Sequence, residues 1–492
     1  MDYTSKPGET VFITLYKSKE NAILSFDLVF KDSNTWHGGI KIASKHLPKN
    51  LRFSVFVKDD TVSKTSTLLQ TCSINVSNDN TIYINHKPHS SSKMISVRKT
   101  KPFCKVFKPV NNSFAKTHRA KKVTHVFNIS YPFLRPNIFV CITGSAKKMS
   151  FFNNEDPLLF KKKKSDKGTI KLDLSKENFP IEFKIAFFDI DKKCIVAYEP
   201  GPNNILDIQP DKNELHIINI EPDCREFLWK GTGINIPVFS LRSNDTWGIG
   251  DFTTIKLLVD YAEITGVKMI QLLPVNDSIS TYSNADSYPY SAISSFALNP
   301  LYLNVATMVE QQNATLLEDE LSTVVRINEL TYCDYESVIH LKITVLKRLF
   351  ESVKNEFTVE PDFVLFFETN QEWLVSYAVF CVLRDKFKTT DTTLWGEYKI
   401  YNCEKIQNAV QPSGIFYDAA LFWYFVQYHL HLQLKSAGKY AHKKGLILKA
   451  DLPIGVAKQS VDAWVNPTIF NMDIQAGAPP DAFSTVGQNW LF

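Results

Sequence analysis

The feature that most narrows the fold is a change of hydrophobic period near residue 225. Before it, apolar and polar residues alternate in short runs. Phe12, Thr14 and Tyr16 interleave with Ile13 and Leu15, and Leu24-Ser25-Phe26-Asp27-Leu28 and Leu51-Arg52-Phe53-Ser54-Val55 repeat the pattern. A period of two puts alternate side chains on opposite faces, as half-buried antiparallel strands require. No long helical pattern interrupts these runs. A Ser-, Lys- and Pro-rich stretch at about 86–122 reads as a linker, and strand patterns resume at 124–130, 137–142, 169–174, 181–188 and 194–199. The reading is two all-β modules of about 100 residues each, at 1–100 and 120–225.

Beyond that point the pattern becomes mixed. A short apolar run at 234–240 reads as a buried strand. Ile255, Leu258, Val259 and Ala262 fall at helical spacing within 251–265, and Gly266 is placed to stop that helix. Residues 268–273 read as a second buried strand, so the segment opens as β-α-β, the start of a parallel sheet with crossover helices. Helical patterns at 337–353, 372–387 and 418–444 follow, then a strand at 445–452. Only three strands of the parallel kind are expected.

Composition excludes several classes. At 492 residues the chain is too long for one ordinary core, and 44% apolar with 22% charged residues is typical of a globular protein. The net charge of +5 is small, and the run from Lys161 to Lys164 has no interleaved aromatics, so it reads as a solvated loop and not a nucleic-acid surface. No apolar run reaches the roughly 18 residues that span a bilayer, and the polar N-terminus lacks a signal-peptide core. The eight cysteines are scattered without a CxxC pair, which fits reduced thiols in the cytoplasm. His429 and His431, two apart on a helical stretch, read as packing residues. No metal site and no Gly-rich phosphate loop is found, so no cofactor is expected.

Five ordered blocks carry a family resemblance. The segment from Gly231-Thr232-Gly233-Ile234 through Pro237-Val238-Phe239-Ser240 to Trp247-Gly248-Ile249-Gly250-Asp251-Phe252 is the first. Gln271-Leu272-Leu273-Pro274-Val275-Asn276-Asp277 is the second. Ser287-Tyr288-Pro289-Tyr290-Ser291 with Ser295-Phe296-Ala297-Leu298-Asn299-Pro300 is the third. Lys449-Ala450-Asp451-Leu452-Pro453-Ile454-Gly455-Val456 is the fourth, and Ala476-Gly477-Ala478-Pro479-Pro480-Asp481 with Gly487-Gln488-Asn489-Trp490 is the fifth. Together they resemble the amylomaltase-type 4-α-glucanotransferases of glycoside hydrolase family 77. Asp334-Tyr335-Glu336, Trp395-Gly396 and Gln427-Tyr428-His429-Leu430-His431-Leu432 are similar to the cytosolic disproportionating subgroup, which carries an insertion in the barrel and two starch-binding modules in front.

The resemblance implies two N-terminal antiparallel β-sandwiches of the family 20 carbohydrate-binding type. They precede the first three strands of a (β/α)8 barrel (226–492) with a helical insertion at about 305–440. It implies retaining transfer of α-1,4-glucan segments, with starch, glycogen, maltose and maltooligosaccharides as partners and no nucleic acid or membrane. Tyr290 and Trp490 would offer stacking faces, and Asp451, Asp481 and Gln488 hydrogen bonds to sugar hydroxyls. In the second β module Phe152, Tyr198 and Asn203 stand at platform-like positions, because aromatic faces stack on the C–H face of glucose. No tryptophan lies between Trp36 and Trp229, and Ala482 stands where relatives often have an aromatic. The other readings are Phe152 and Tyr198 as core, Asp451 as a loop anchor and Asp481 as a turn residue. The family's nucleophile, acid/base and stabilising carboxylates are expected beyond Phe492. The 492-residue chain is therefore expected to be inactive alone, with a non-catalytic glucan-binding protein or a relic fragment as the alternatives.

Overall fold

The computed structural model describes residues 122–490 except 161–166, 212–213, 313 and 454. Before them it describes 9–16, 22–32, 35–38, 50–59, 66–75, 81–86 and Val106. Most of the 86–122 linker and the lysine run at 161–164 lie outside the described residues. The chain divides into two compact units, Met1–Lys230 and Gly231–Phe492.

The first unit is built from strands. β1 (Glu9–Tyr16), β2 (Ala22–Asp27), β5 (Asn50–Asp59) and β6 (Ser66–Asn75) form a sheet in the order β2-β1-β5-β6, and β3 (Val29–Asp32) pairs with β4 (Thr35–His37), with Phe30 and Trp36 at paired backbone positions. After β7 (Thr81–His86) come β8 (His125–Ser130), β9 (Ile138–Gly144), β10 (Leu158–Leu159), β11 (Lys167–Leu172), β12 (Ile181–Asp189), β13 (Cys194–Tyr198), β14 (Asn204–Leu206) and β15 (Glu214–Ile220). One sheet runs β10-β9-β12-β13 with β14 also on β12, and the other runs β11-β8-β15-β7. Phe127, Val140, Ile142, Phe160, Ile185 and Phe187 fill the core of this region. Eight of the nine side chains of β12 are buried, so it shows no clean alternation; it is the strand on which both β9 and β13 lean.

One assignment changes. On sequence, 81–86 belongs to the first module, but β7 runs parallel to β15 from Glu214↔Thr81 to Asn219↔His86, in the sheet of the second. A strand edge left bare exposes a row of N–H and C=O groups, and β7 satisfies that edge of β15.

In the second unit β16 (Gly233–Ile236), β17 (Met269–Leu272) and β18 (Ile447–Ala450) form a parallel sheet in that order. α1 (Ile255–Ile264) makes the crossover between the first two, and Gly266 follows it at φ +76°, a conformation that side chains disfavour. The first strand is shorter than the 234–240 run because Pro237 has no N–H to continue the ladder, and residues 238–240 form a tight turn instead. These strands are also less buried than expected. Ile270 and Leu272 face the helical core, while Gln271 pairs in register with Asn235 and Lys449 on the other face.

Between β17 and β18 lie α2 (Val305–Gln311), α3 (Glu318–Glu329), α4 (Tyr335–Phe357), α5 (Pro361–Phe387), α6 (Cys403–Ala409) and α7 (Tyr417–Lys443). Asn304 and Asp334 cap α2 and α4 through side-chain oxygens. From Leu374 to Arg384 every residue of α5 is buried, and from Ala420 to Tyr428 every residue of α7 is buried. Helices apolar on all sides belong in the middle of a core. After β18 come α8 (Val461–Val465) and a hairpin of β19 (Gly477–Ala478) and β20 (Gln488–Asn489). Among the described residues no helix is long and apolar enough to cross a membrane.

Candidate functional site

The chain leaves β17 at its carboxyl end and forms a closed loop before returning to α2. Its neck is zipped by Asp277 N–H to Ala297 O (2.9 Å) and Asn299 N–H to Val275 O (2.9 Å), and Asn276 Nδ2 donates to Ser295 O at 2.9 Å. Tyr290 sits near the far end of this loop. Its hydroxyl donates to Asp451 Oδ2 at 2.8 Å, and the ring of Tyr288 lies 5.7 Å away. Asp451 directly follows β18, with its amide tied to Leu272 O at 3.0 Å. Two residues 161 apart in sequence thus meet at the carboxyl ends of neighbouring parallel strands. The bond to Asp451 raises the Tyr290 hydroxyl above the usual phenol range, so the phenol stays protonated at neutral pH. Both side chains are half-buried.

The neck of that loop rests on charge buried in the helices. Asp277 is fully buried and accepts from Tyr377 Oη (2.7 Å) and from Ile279 N–H (2.9 Å). Burial pushes its carboxyl up to about 6, against the pull of Arg384, the Ile279 amide and the Tyr377 hydroxyl. Arg384 donates to Ile279 O at 2.7 Å, and its guanidinium lies 4.6 Å from the Tyr282 ring and 5.1 Å from that of Trp423. Tyr282 donates to Asp385 Oδ1 at 2.8 Å. Gln427 of α7 exchanges both amide bonds with the backbone of Leu298 (2.9 and 2.8 Å). Reading the sequence attached no role to Asp277, Tyr377, Arg384 or Gln427. The signal available was a carboxylate five residues past a short apolar strand and an arginine closing the apolar stretch 374–383 of a helix.

A second group of expected residues lies on the β19–β20 hairpin. Trp490 Nε1 donates to Gln488 Oε1 at 2.9 Å, and Trp490 N–H to Ala476 O at 3.0 Å. Asp481 Oδ1 accepts from the amides of Phe483 (2.8 Å) and Ser484 (2.7 Å), so one of its oxygens is spent on its own turn. Gln488, with Asn489, Gln475, Asp473 and Lys458, lines a shallow polar cavity of about 450 Å³.

In the first unit, Ser150, Phe151 and Phe152 all have positive φ (66°, 48° and 56°) in the tight turn after β9. The turn brings out Phe151, which is 66% exposed, while Phe152 is half-buried. Tyr198, 41% exposed, hydrogen-bonds through its hydroxyl to Asn154 Oδ1 beside this turn. Asn203 is exposed and donates to Glu182 Oε2 at 2.8 Å. His429 is half-buried against the rings of Phe357 and Phe425, and desolvation pushes its imidazole down to about 4. Cys141, Cys333 and Cys381 have thiols raised by burial.

Polar side chains thus gather on loops at the carboxyl ends of adjacent strands of a three-stranded parallel sheet, backed by helices. A family profile described as 4-alpha-glucanotransferase matches residues 236–492, just over half of the sequence, and the chain belongs to that family. It is 37% identical over 382 residues to the 4-alpha-glucanotransferase DPE2 of Oryza sativa subsp. japonica, covering 77% of this chain and 40% of that protein. It is 34% identical over 259 residues to the 4-alpha-glucanotransferase of Chlamydia caviae, covering 52% of this chain and 47% of that one. The amylomaltase from Streptococcus agalactiae in complex with acarbose aligns with a TM-score of 0.45 and 21% identity, over 54% of this chain and 52% of that one. The chain spans about half or less of the length of these relatives.

Proposed function

We propose that this chain carries the glucan-binding part of a 4-α-glucanotransferase, acting on starch, glycogen, maltose and maltooligosaccharides. The observation that carries the reading is the Tyr290–Asp451 pair at the carboxyl ends of β17 and β18, where barrel enzymes hold substrate. A half-buried phenol and carboxylate offer a donor, an acceptor and a ring face, which suit the hydroxyls and the C–H face of a glucose unit. Asp481, Gln488 and Trp490 on the hairpin are proposed to cover the same sugar chain. The first unit is proposed to hold starch-binding modules of the family 20 type, with Phe152, Tyr198 and Asn203 in the site. The setting that fits scattered reduced thiols is the cytoplasm.

Transfer by the retaining route needs a nucleophile and an acid/base about 5–5.5 Å apart. No carboxylate of this chain stands in a block resembling the family's catalytic ones. The proposal is therefore binding without turnover by the 492 residues alone. Calorimetry with maltoheptaose tests the site. Asp451→Ala and Tyr290→Ala should each weaken binding at least about tenfold, the loss of a charge-assisted hydrogen bond to the ligand. Unchanged affinity in both would remove the assignment.

A further inference from the structure

We infer that Tyr377, Gln427 and Arg384, on the inserted helices, are positioning residues for the glucan site, acting through Asp277 and the loop that carries Tyr290; this rests on the reading of Tyr290 and Asp451 as that site. The loop touches the helices at its neck, on both of its strands. On the outgoing strand Tyr377 donates to Asp277 Oδ2 at 2.7 Å and Arg384 to Ile279 O at 2.7 Å. On the returning strand Gln427 holds the N–H and C=O of Leu298. The two grips are joined, since Gln427 Nε2 also reaches Tyr377 Oη at 3.3 Å. Asn276 and Leu298 face each other across the neck as an isolated antiparallel bridge.

From this neck the geometry passes to Tyr290 by short steps. Ile293 N–H donates to Asp277 O at 2.7 Å, so the segment just after Tyr290 hangs on the same residue that Tyr377 holds. Ala457 and Val461 donate to Ala292 O (3.0 Å) and Ile293 O (2.9 Å), which ties that segment to the chain following Asp451. Asp462 accepts from Ser295 N–H at 2.9 Å. Moving Asp277 by a fraction of an ångström would therefore shift Tyr290 against Asp451. The anchor is costly for a part that only fills space, because a carboxylate and a guanidinium, both fully buried, lose their hydration. Hydrophobic residues would pack such a core at least as stably. What a hydrogen-bonded charged cluster adds is a single geometry, here that of the neck of a binding loop.

Hydrogen exchange of the full chain tests this, read in the peptide covering 286–293 with and without maltoheptaose. In Tyr377→Phe and Gln427→Ala, exchange at 286–293 is expected to rise about tenfold, in line with the loss of one buried hydrogen bond, while β16, β17 and α4 keep their wild-type protection. The added protection that maltoheptaose gives this peptide should fall by a similar factor. Asp277→Asn, which keeps an acceptor for Tyr377, should restore most of the protection lost in Asp277→Ala. Wild-type exchange at 286–293 in the two helix variants, or an equal rise across the whole unit, would overturn the inference and leave these residues as ordinary core. Faster exchange in the variants, with no effect of maltoheptaose on the wild type, would support the anchoring and count against the glucan reading alone.

Discussion

Two buried ionisable side chains make opposite demands on pH. His125 is fully buried against His216 and Phe179, and burial, followed by the neighbouring His216, pushes its imidazole down to about 4. The folded state holds it neutral, while the unfolded chain protonates near 6.5. The stability this contributes is complete above pH 6.5 and is lost as pH falls toward 4, by roughly 3 kcal/mol in all. Asp277 runs the other way. With its carboxyl pushed up to about 6 in the fold, its share is present below about pH 4 and is lost as pH rises through 6. Urea unfolding read by exchange in β8 should thus weaken from pH 7 to pH 5, and His125→Phe should flatten that slope. Asp277→Asn should make the α/β unit more stable at pH 7.5 than the wild type. Phe151 adds a prediction about binding. It shows more of its ring than Phe152 does, so Phe151→Ala is expected to abolish more of the glycogen retardation in affinity gels than Phe152→Ala. Equal or reversed losses would return the platform to Phe152.

Elements gain meaning from what they pair with. β7 on the edge of β15 means that the sheet β11-β8-β15-β7 ends in a strand drawn from residues 81–86. A fragment starting at residue 122 should then melt several degrees below one starting at residue 78, since a bare parallel edge loses its ladder bonds. Calorimetric melting of the two fragments checks this, and equal midpoints would show β7 to be dispensable. The inserted helices show the same dependence. α5 and α7 pack on each other along the stretch that holds Tyr377, Arg384 and Gln427, and Trp395 and Trp464 close that core edge-to-face at 5.4 Å. Their sequences read as helix at once, but which loop they support follows only from their packing.

The molecule as a whole combines a strand-rich unit with an α/β unit whose described parallel sheet has three strands. On the reading proposed above, the chain supplies binding groups without the family's catalytic carboxylates. The 492 residues are accordingly expected to release no glucose from maltose above background, with glycogen as acceptor. Adding a polypeptide that supplies the rest of a glucanotransferase barrel is the companion arm. Glucose release by the purified chain alone would mean that the reacting carboxylates lie within these 492 residues, outside any block that resembles the family's catalytic ones.

Local patterns sufficed for much of this. The period of two over β8 and β11, the helical spacing of Ile255, Val259 and Ala262, and the stop at Gly266 each depend on side chains within a few positions of one another. So do the ordered blocks that mark the 4-alpha-glucanotransferase family. The sequence alone therefore determined the change from strands to α/β near residue 225, most of the elements and the family. What only the tertiary structure decided lies at long separations. Tyr377 meets Asp277 across 100 residues and Gln427 meets Leu298 across 129. Those contacts come from the packing of α5 and α7 against a loop, and no periodicity within either helix encodes which loop it will meet. The exposure of Phe151 over Phe152 was likewise set by three consecutive left-handed residues, a backbone choice that adjacent phenylalanines leave open.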